Sequence, residues 1–189
     1  MRVKRQKLIL TSLGWRTDTR WRRKRAIKDF QRGWLLGKKL VVDGIVGPKT
    51  TEAMELSYSR LQNGEPTCSE HFSFSEFACK CGGRYWSCKR IATNRRLIRG
   101  LEKYRSVAGR TIIVSAYRCY WHNRAVGGAK YSQHKYAKAA DLVYSLGLGE
   151  VKELEAFSGI GYSVSRGLVR HVDVRDNATV SNPTVWTYA

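Results

Sequence analysis

The sequence lacks a long apolar run and any long internal repeat or low-complexity tract. None of its 189 residues belong to a hydrophobic stretch long enough to cross a bilayer. The first ten residues are basic at the start, as in a signal peptide, but their apolar part is too short and Arg16–Arg25 is densely charged. We therefore expect no signal peptide, synthesis in the cytoplasm, and release by some other route if the target lies outside the membrane.

Acidic residues are scarce. The chain has 15 Asp and Glu against 35 Lys and Arg, a formal net charge of +20. This balance predicts a polyanionic partner, which could be nucleic acid, an anionic membrane or an anionic wall polymer, and binding that weakens with salt. Arg20–Arg25 is most simply a solvated basic face. Because no nucleic-acid-binding motif accompanies the charge, we expect no nucleic acid partner.

The cysteine count excludes complete pairing into intramolecular disulfides, since it is odd. The five are Cys68, Cys79, Cys81, Cys88 and Cys119. The three within 79–88, joined by Cys68 or His71, could form a structural zinc site, which needs four ligands. Disulfides and free thiols are the alternatives. We expect Cys119 only to be packed.

The first part of the chain predicts a small helical unit. Hydrophobic residues make up 42% of the sequence and aromatics 11%, enough for a core. Ile27, Phe30 and Trp34 recur at helical spacing. A second helix should begin at Pro48, where proline is favoured, and end before the Asn-Gly-Glu-Pro segment at 63–66. We therefore predict a domain over 1–64 and a second over 68–189.

The second part mixes helical and strand patterns. Helices are predicted at 93–107 and 150–157, and strands at 111–116, 139–144 and 169–174. The fold class expected for the chain is α+β.

Three residues of the second part suit a catalytic zinc. His134, Asp141 and His171 offer two imidazoles and a carboxylate, which leaves a fourth position for water. His171 and Asp173 are two apart on a predicted strand, so their side chains share a face. Asp173 is the candidate general base for the zinc-activated water. The alternative is that Asp173 positions a metal ligand.

Arg118 follows a predicted strand and could bind a substrate carboxylate through two hydrogen bonds. The alternative is a structural ion pair.

These residues resemble a known family. The sequence SAYR at 115–118, HNRAVGGA at 122–129, and the Ser, His, Ala and Asp at 132, 134, 139 and 141 are similar to zinc D-Ala-D-Ala carboxypeptidases, which include phage endolysin peptidases. HVD at 171–173 is similar to the family's last metal-binding strand, and the likeness spans residues 72–174.

The resemblance implies a small α+β domain whose helices pack on an antiparallel sheet. It implies that His134, Asp141 and His171 bind zinc, that Arg118 holds substrate and that Ser132 assists by hydrogen bonding. The chain departs from the family at three points. Ala137 and Ala116 stand where glycine is usual, and glycine accepts backbone angles that alanine resists. Many relatives have His-x-His where this chain has His171-Val172-Asp173, so an alternative alignment makes Asp173 the ligand and His171 the base.

The first part resembles a three-helix peptidoglycan-binding domain. The likeness rests on AIKDFQ at 26–31 and VDGIVGPKTTEA at 42–53. It implies that this region binds glycan–peptide wall polymer.

The two resemblances together predict a monomeric endolysin-like peptidoglycan hydrolase that cleaves an amide of the wall's stem peptides. Relatives divide into D-Ala-D-Ala carboxypeptidases, D,D-endopeptidases and L-Ala-D-Glu endopeptidases, and the motifs do not choose between them. Two rival hypotheses are a non-catalytic wall-binding protein with a degenerate metal site and a basic nucleic-acid-binding protein.

Overall fold

The computed structural model describes residues 1–143 and 145–188, and it has α+β architecture. The helices of this part of the chain are α1 (Val3–Ser12), α2 (Arg20–Gly33), α3 (Pro48–Gln62), α4 (Arg95–Ala108), α5 (Tyr120–Ala125) and α6 (Leu148–Glu153), with short 3-10 turns at Phe74–Phe77 and Gln133–Tyr136. The strands are β1 (Ile113–Ser115), β2 (Ala139–Leu142), β3 (Gly159–Ser163), β4 (Val169–Asp173) and β5 (Thr184–Tyr188).

The strands form one sheet in the order β1-β2-β4-β3-β5. Three neighbouring pairs are antiparallel, whereas β3 and β5 run parallel. The sheet is thus antiparallel-dominated rather than wholly antiparallel. The strand predicted over 139–144 ends at Leu142, and Tyr144 lies outside the described residues.

The loop between α2 and α3 is held by one buried glutamine. The side-chain amide nitrogen of Gln31 donates to Asp43 Oδ1 and to the Ile45 carbonyl, both at 2.9 Å. Its Oε1 accepts from the Gly44 N–H at 2.9 Å. Gly44 has a positive φ of 79°, which glycine adopts without strain. The Asp-Gly motif therefore has a structural role, and α3 begins at Pro48 as predicted.

The hydrophobic core continues across residues 64–68. Trp15 and Phe30 from the first part meet Phe74 of the second, with ring centroids 4.9 and 5.1 Å apart. The Leu35 N–H donates to the Cys68 carbonyl at 2.8 Å. The division into 1–64 and 68–189 stays a prediction, and if these are two domains they share a core.

Sequence analysis missed α1, α5, β3 and β5. The basic residues that begin α1 resemble the start of a signal peptide, yet Ile9 and Leu10 are fully buried. Strand β3 contains two glycines, which weaken any strand pattern. Both positions need glycine because neighbouring side chains lie too close to leave room for a Cβ atom. A Cβ on Gly159 would lie 2.3–2.5 Å from the Asp173 carboxylate atoms, and one on Gly161 would lie 2.6–2.8 Å from the rings of Trp186 and Tyr188.

No helix among the described residues is both long enough and apolar enough to cross a membrane.

Candidate active site

Three elements bring the predicted metal ligands together. Asp141 on β2 and His171 on β4 are direct partners in the antiparallel ladder. His134 lies in the 3-10 turn at Gln133–Tyr136, just before β2. The sheet therefore fixes two ligands by register, and the turn adds the third.

The donor atoms have the spacing of a tetrahedral zinc site. His134 Nε2 lies 3.2 Å from Asp141 Oδ1 and 3.3 Å from His171 Nδ1. His171 Nδ1 lies 2.8 Å from the same Asp141 oxygen. Zinc bonds of about 2.0–2.1 Å put neighbouring ligands of a tetrahedron about 3.4 Å apart. The three side chains thus match a zinc-sized ion, with the shortest edge slightly compressed.

Both imidazoles have an acceptor that fixes the nitrogen left for metal. His134 Nδ1 lies 2.6 Å from the Ala116 carbonyl oxygen, so Nδ1–H donates and Nε2 keeps its lone pair. His171 Nε2 lies 3.3 Å from Asp173 Oδ2, so Nε2–H donates and Nδ1 keeps its lone pair. Such acceptors behind a ligand histidine are usual in metal sites.

The surroundings shift the ionisation of each ligand. Burial lowers the pKa of His134. Burial alone would also lower the pKa of His171, but hydrogen bonds to Asp141 and Asp173 raise it. Burial would raise the pKa of Asp141, yet the hydrogen bonds from the two histidines bring it well below its usual value. The Asp141 carboxylate is thus ionised, as a metal ligand must be.

Asp173 sits behind His171. Its carboxylate is fully buried and pairs with Arg175, whose Nη2 lies 2.6 Å from Asp173 Oδ2 and whose Nε lies 2.9 Å from Oδ1. Burial would raise its pKa, but hydrogen bonds from His171 and Arg175 lower it to about 2. Such a weak base, with both oxygens occupied, is poorly suited to accept a proton near neutrality. The geometry favours the positioning role over the predicted general base, and it does not put Asp173 among the ligands.

The Arg118 side chain pairs with Asp141, one of the three predicted metal ligands. Its Nη2 donates to Asp141 Oδ2, and its Nε donates to Ser115 Oγ at 2.9 Å. The guanidinium thus fixes the orientation of the ligand carboxylate. This is the structural ion pair that sequence analysis kept as the alternative, although Arg118 also lines the cleft.

A cleft of about 760 Å³ opens over the three ligands. Ser132 and Tyr131 line it, and the hydrogen-bonding role that the resemblance implies for Ser132 stays a prediction. Arg170 and Lys130 add positive charge to its wall, which suits an anionic substrate.

The two alanines found in place of glycine leave the ligands together. Ala137 adopts the left-handed conformation, φ 57° and ψ 30°, at the end of the turn that carries His134. Glycine adopts this conformation without strain, whereas alanine pays about 1–2 kcal/mol. Among the described residues other than glycine, only Arg90, Ala137 and Glu155 have positive φ, so Ala116 carries no such strain.

The cysteine prediction requires a correction. Cys119, expected only to pack, joins the three cysteines of the 79–88 loop in a group whose sulfur atoms all lie within 4.8 Å of one another. Cys68 lies apart and donates to the Phe72 carbonyl at 3.1 Å. His71 pairs with Glu102, Nδ1 to Oε2 at 2.7 Å. The fourth member comes from a distant segment, which spacing in sequence cannot reveal.

Sequence analysis missed two residues that pack around the ligand His171 and its partner Asp173. Arg175 lies two positions after Asp173, so the strand period could have suggested their pairing. Trp186 on β5 packs 5.1 Å from the His171 ring and lies under the Arg175 guanidinium, 4.7 Å from ring centroid to Cζ. The alternating β-prone segment at 184–188 could have predicted the strand but not its parallel pairing with β3.

The match to a protein-family model agrees with this geometry. The comparison with curated proteins gave no match. A family model described as Peptidase M15 matches residues 70–173, more than half of the chain, and includes all three ligand positions. The chain therefore belongs to the peptidase M15 family, whose members are zinc-dependent metallopeptidases, and this makes it a hydrolase related to peptidoglycan metabolism.

Proposed function

We propose that this protein is an endolysin-like peptidoglycan hydrolase that cleaves an amide bond in the stem peptides of bacterial cell wall. The observation that carries the proposal is the convergence of His134 Nε2, Asp141 Oδ1 and His171 Nδ1 at zinc spacing beneath an open cleft. A site with three protein ligands and access to solvent is typical of catalytic rather than structural zinc.

The chain's own residues would hold one zinc ion and fix its ligands. When bound, zinc lowers the pKa of a water molecule and polarises the carbonyl of the scissile amide. Arg118 holds the Asp141 carboxylate, the Ala116 carbonyl orients His134, and Asp173 orients His171. These contacts preorganise the site, which reduces the rearrangement needed at the time of reaction.

The cleft wall suits a stem peptide. Stem peptides carry free carboxylates, and Arg170 and Lys130 would attract them. Exposed Tyr131 and the half-buried Trp186 and Tyr188 offer flat apolar faces beside these charges. The net charge of +20 would add attraction to anionic wall polymers or membrane surface.

The helical first part would serve as the wall-binding element. Val41 and Ile45, on the loop that Gln31 holds, expose 75% and 64% of their surface and would contact the polymer. The protein would act as a monomer, made in the host cytoplasm and active on the wall after release.

The test is digestion of purified peptidoglycan by the zinc-loaded protein, with the new termini identified by mass spectrometry. Released D-alanine, opened cross-links or new D-glutamate amino termini would identify the three bond types. His134→Ala should abolish cleavage, whereas His122→Ala, a histidine outside the cluster, should retain it. Absence of new termini with a zinc-loaded wild type would refute the proposal.

A further inference from the structure

A second cluster of metal-type ligands lies apart from the cleft. Cys79, Cys81 and Cys88 belong to one loop, and Cys119 precedes α5. Cys81 Sγ lies 3.5 Å from Cys88 Sγ and 3.9 Å from Cys119 Sγ. A disulfide would bring two sulfurs to about 2.05 Å. Zinc–sulfur bonds of about 2.3 Å put sulfurs about 3.8 Å apart in a tetrahedron, which is the spacing found here.

This cluster is closed. Cys79, Cys88 and Cys119 are each no more than 4% exposed, and Cys81 is half-buried. Ala92, Tyr117 and Ala137 pack around the sulfurs. Four thiolates would complete a tetrahedral shell and leave no position for water or substrate, as in structural zinc sites.

The backbone around the sulfurs is arranged for thiolates. The Cys119 N–H donates to Cys79 Sγ and the Arg90 N–H donates to Cys88 Sγ, each at 3.4 Å. Lys80, Lys89 and Arg90 are neighbours of the cysteines in the sequence, and their positive charge would suit a shell whose net charge with zinc is negative.

The loop that carries three of the cysteines has little other support. Between Ala78 and Ile91, which form an isolated bridge, it contains no helix or strand. Gly82 and Gly83 both have positive φ. Ordering such a segment costs conformational entropy, which a metal that joins its ends to a distant residue can offset.

We infer that Cys79, Cys81, Cys88 and Cys119 bind a second, structural zinc ion. Its effect reaches the active site through residues 116–119. Within four positions of the chain, the Ala116 carbonyl orients His134, the Arg118 side chain fixes Asp141, and Cys119 would bind the structural ion. The structural ion therefore holds in place the segment that orients two of the three catalytic ligands.

Metal analysis of the purified full chain tests this inference independently of activity. We expect two zinc ions per chain, one lost in His134→Ala and the other lost in Cys81→Ser. Cys68→Ala is the matched control because this buried cysteine lies outside the cluster, and it should keep both ions. A thiol-specific mercurial should release one equivalent from the wild type and also one from His134→Ala.

Cobalt substitution and X-ray absorption identify the ligands. Cobalt-loaded His134→Ala should show the strong near-ultraviolet band of cobalt–thiolate charge transfer, and Cys81→Ser should lack it. If Cys81→Ser does not fold, zinc-edge absorption of the wild type still decides, since sulfur ligands are expected beside nitrogen and oxygen. A shell of nitrogen and oxygen alone, or iron in place of zinc, would overturn the inference, even if the wall-cleaving activity were established.

Discussion

The two ligand clusters of this molecule differ in openness rather than in burial. The cluster of His134, Asp141 and His171 lies beneath a cleft, whereas the four cysteines are packed among side chains. Three mixed nitrogen and oxygen ligands leave a position for reactants, and four sulfur ligands leave none. On the two proposals above, the number and type of ligands would separate a catalytic zinc from a structural zinc within one small chain.

The largest expected effect comes from selective metal removal. Brief dialysis against a chelator should remove the solvent-accessible ion first, because a chelator can reach it through the cleft. Wall cleavage should fall by about 10³-fold or more, since the metal supplies several kcal/mol of transition-state stabilisation. Activity should return on adding zinc. Metal analysis should find one ion retained, and simultaneous loss of both would break the comparison.

Asp173→Asn tests the support behind His171. We expect zinc affinity at the open site to fall by about 10–100-fold, the usual effect of losing such a partner. The measurement is a competitive zinc titration beside kcat. Asp176→Asn is the matched control, because Asp176 is 71% exposed and pairs with Lys138. A loss of kcat with unchanged zinc affinity would instead support the general-base role.

Ala137 connects the clusters, since it follows the turn of His134 and packs beside the cysteines. Replacement by glycine removes the left-handed strain. Ala139→Gly, in β2, removes a similar buried methyl group without such relief. We expect Ala137→Gly to be the more stable of the two by about 1–2 kcal/mol in denaturant titration. Equal stabilities would show that the observed φ is not a source of strain.

The smallest effect concerns His71, which sequence analysis offered as a ligand of the cysteine site. His71→Ala should leave the zinc content unchanged.

Burial would raise the pKa of Glu102, the partner of His71, but hydrogen bonds from Ser69 and His71 lower it. A depressed carboxyl pKa stabilises the fold above the unfolded value of about 4.3, and this contribution is lost as pH falls through the folded pKa.

Glu102→Gln should therefore cost at most about 1 kcal/mol at pH 7, because the pair is partly exposed. The difference in unfolding free energy from wild type should vanish once the pH is below the pKa of Glu102 in the folded protein. Urea titrations at several pH values measure it. A difference that stays the same from pH 7 to well below about pH 4 would contradict the assignment.

Much of the open site could be predicted from the sequence. Its ligands belong to short segments of recognisable pattern, and strand period alone places His171 and Asp173 on one face. The predicted helix start at Pro48 was likewise confirmed because proline acts locally. The role of Asp173 could not be predicted in this way, because it depends on Arg175 and on the absence of a side chain at Gly159.

The closed cluster was harder to predict because its fourth member lies 31 positions beyond Cys88, and only the folded chain brings the two segments together. Strand β5 was missed for a similar reason, since its parallel pairing with β3 depends on the packing of Trp186 and Tyr188 over Gly161. Long-range contacts of this kind leave no local signature.

The position of Trp186 gives the molecule an optical reporter. Its indole lies 5.1 Å from the His171 ring. Indole emission is sensitive to the charge of a neighbouring imidazole, so metal loading should change the fluorescence of this tryptophan. Subtracting the spectrum of Trp186→Phe from that of the wild type would isolate the signal and allow occupancy to be followed in real time, without substrate.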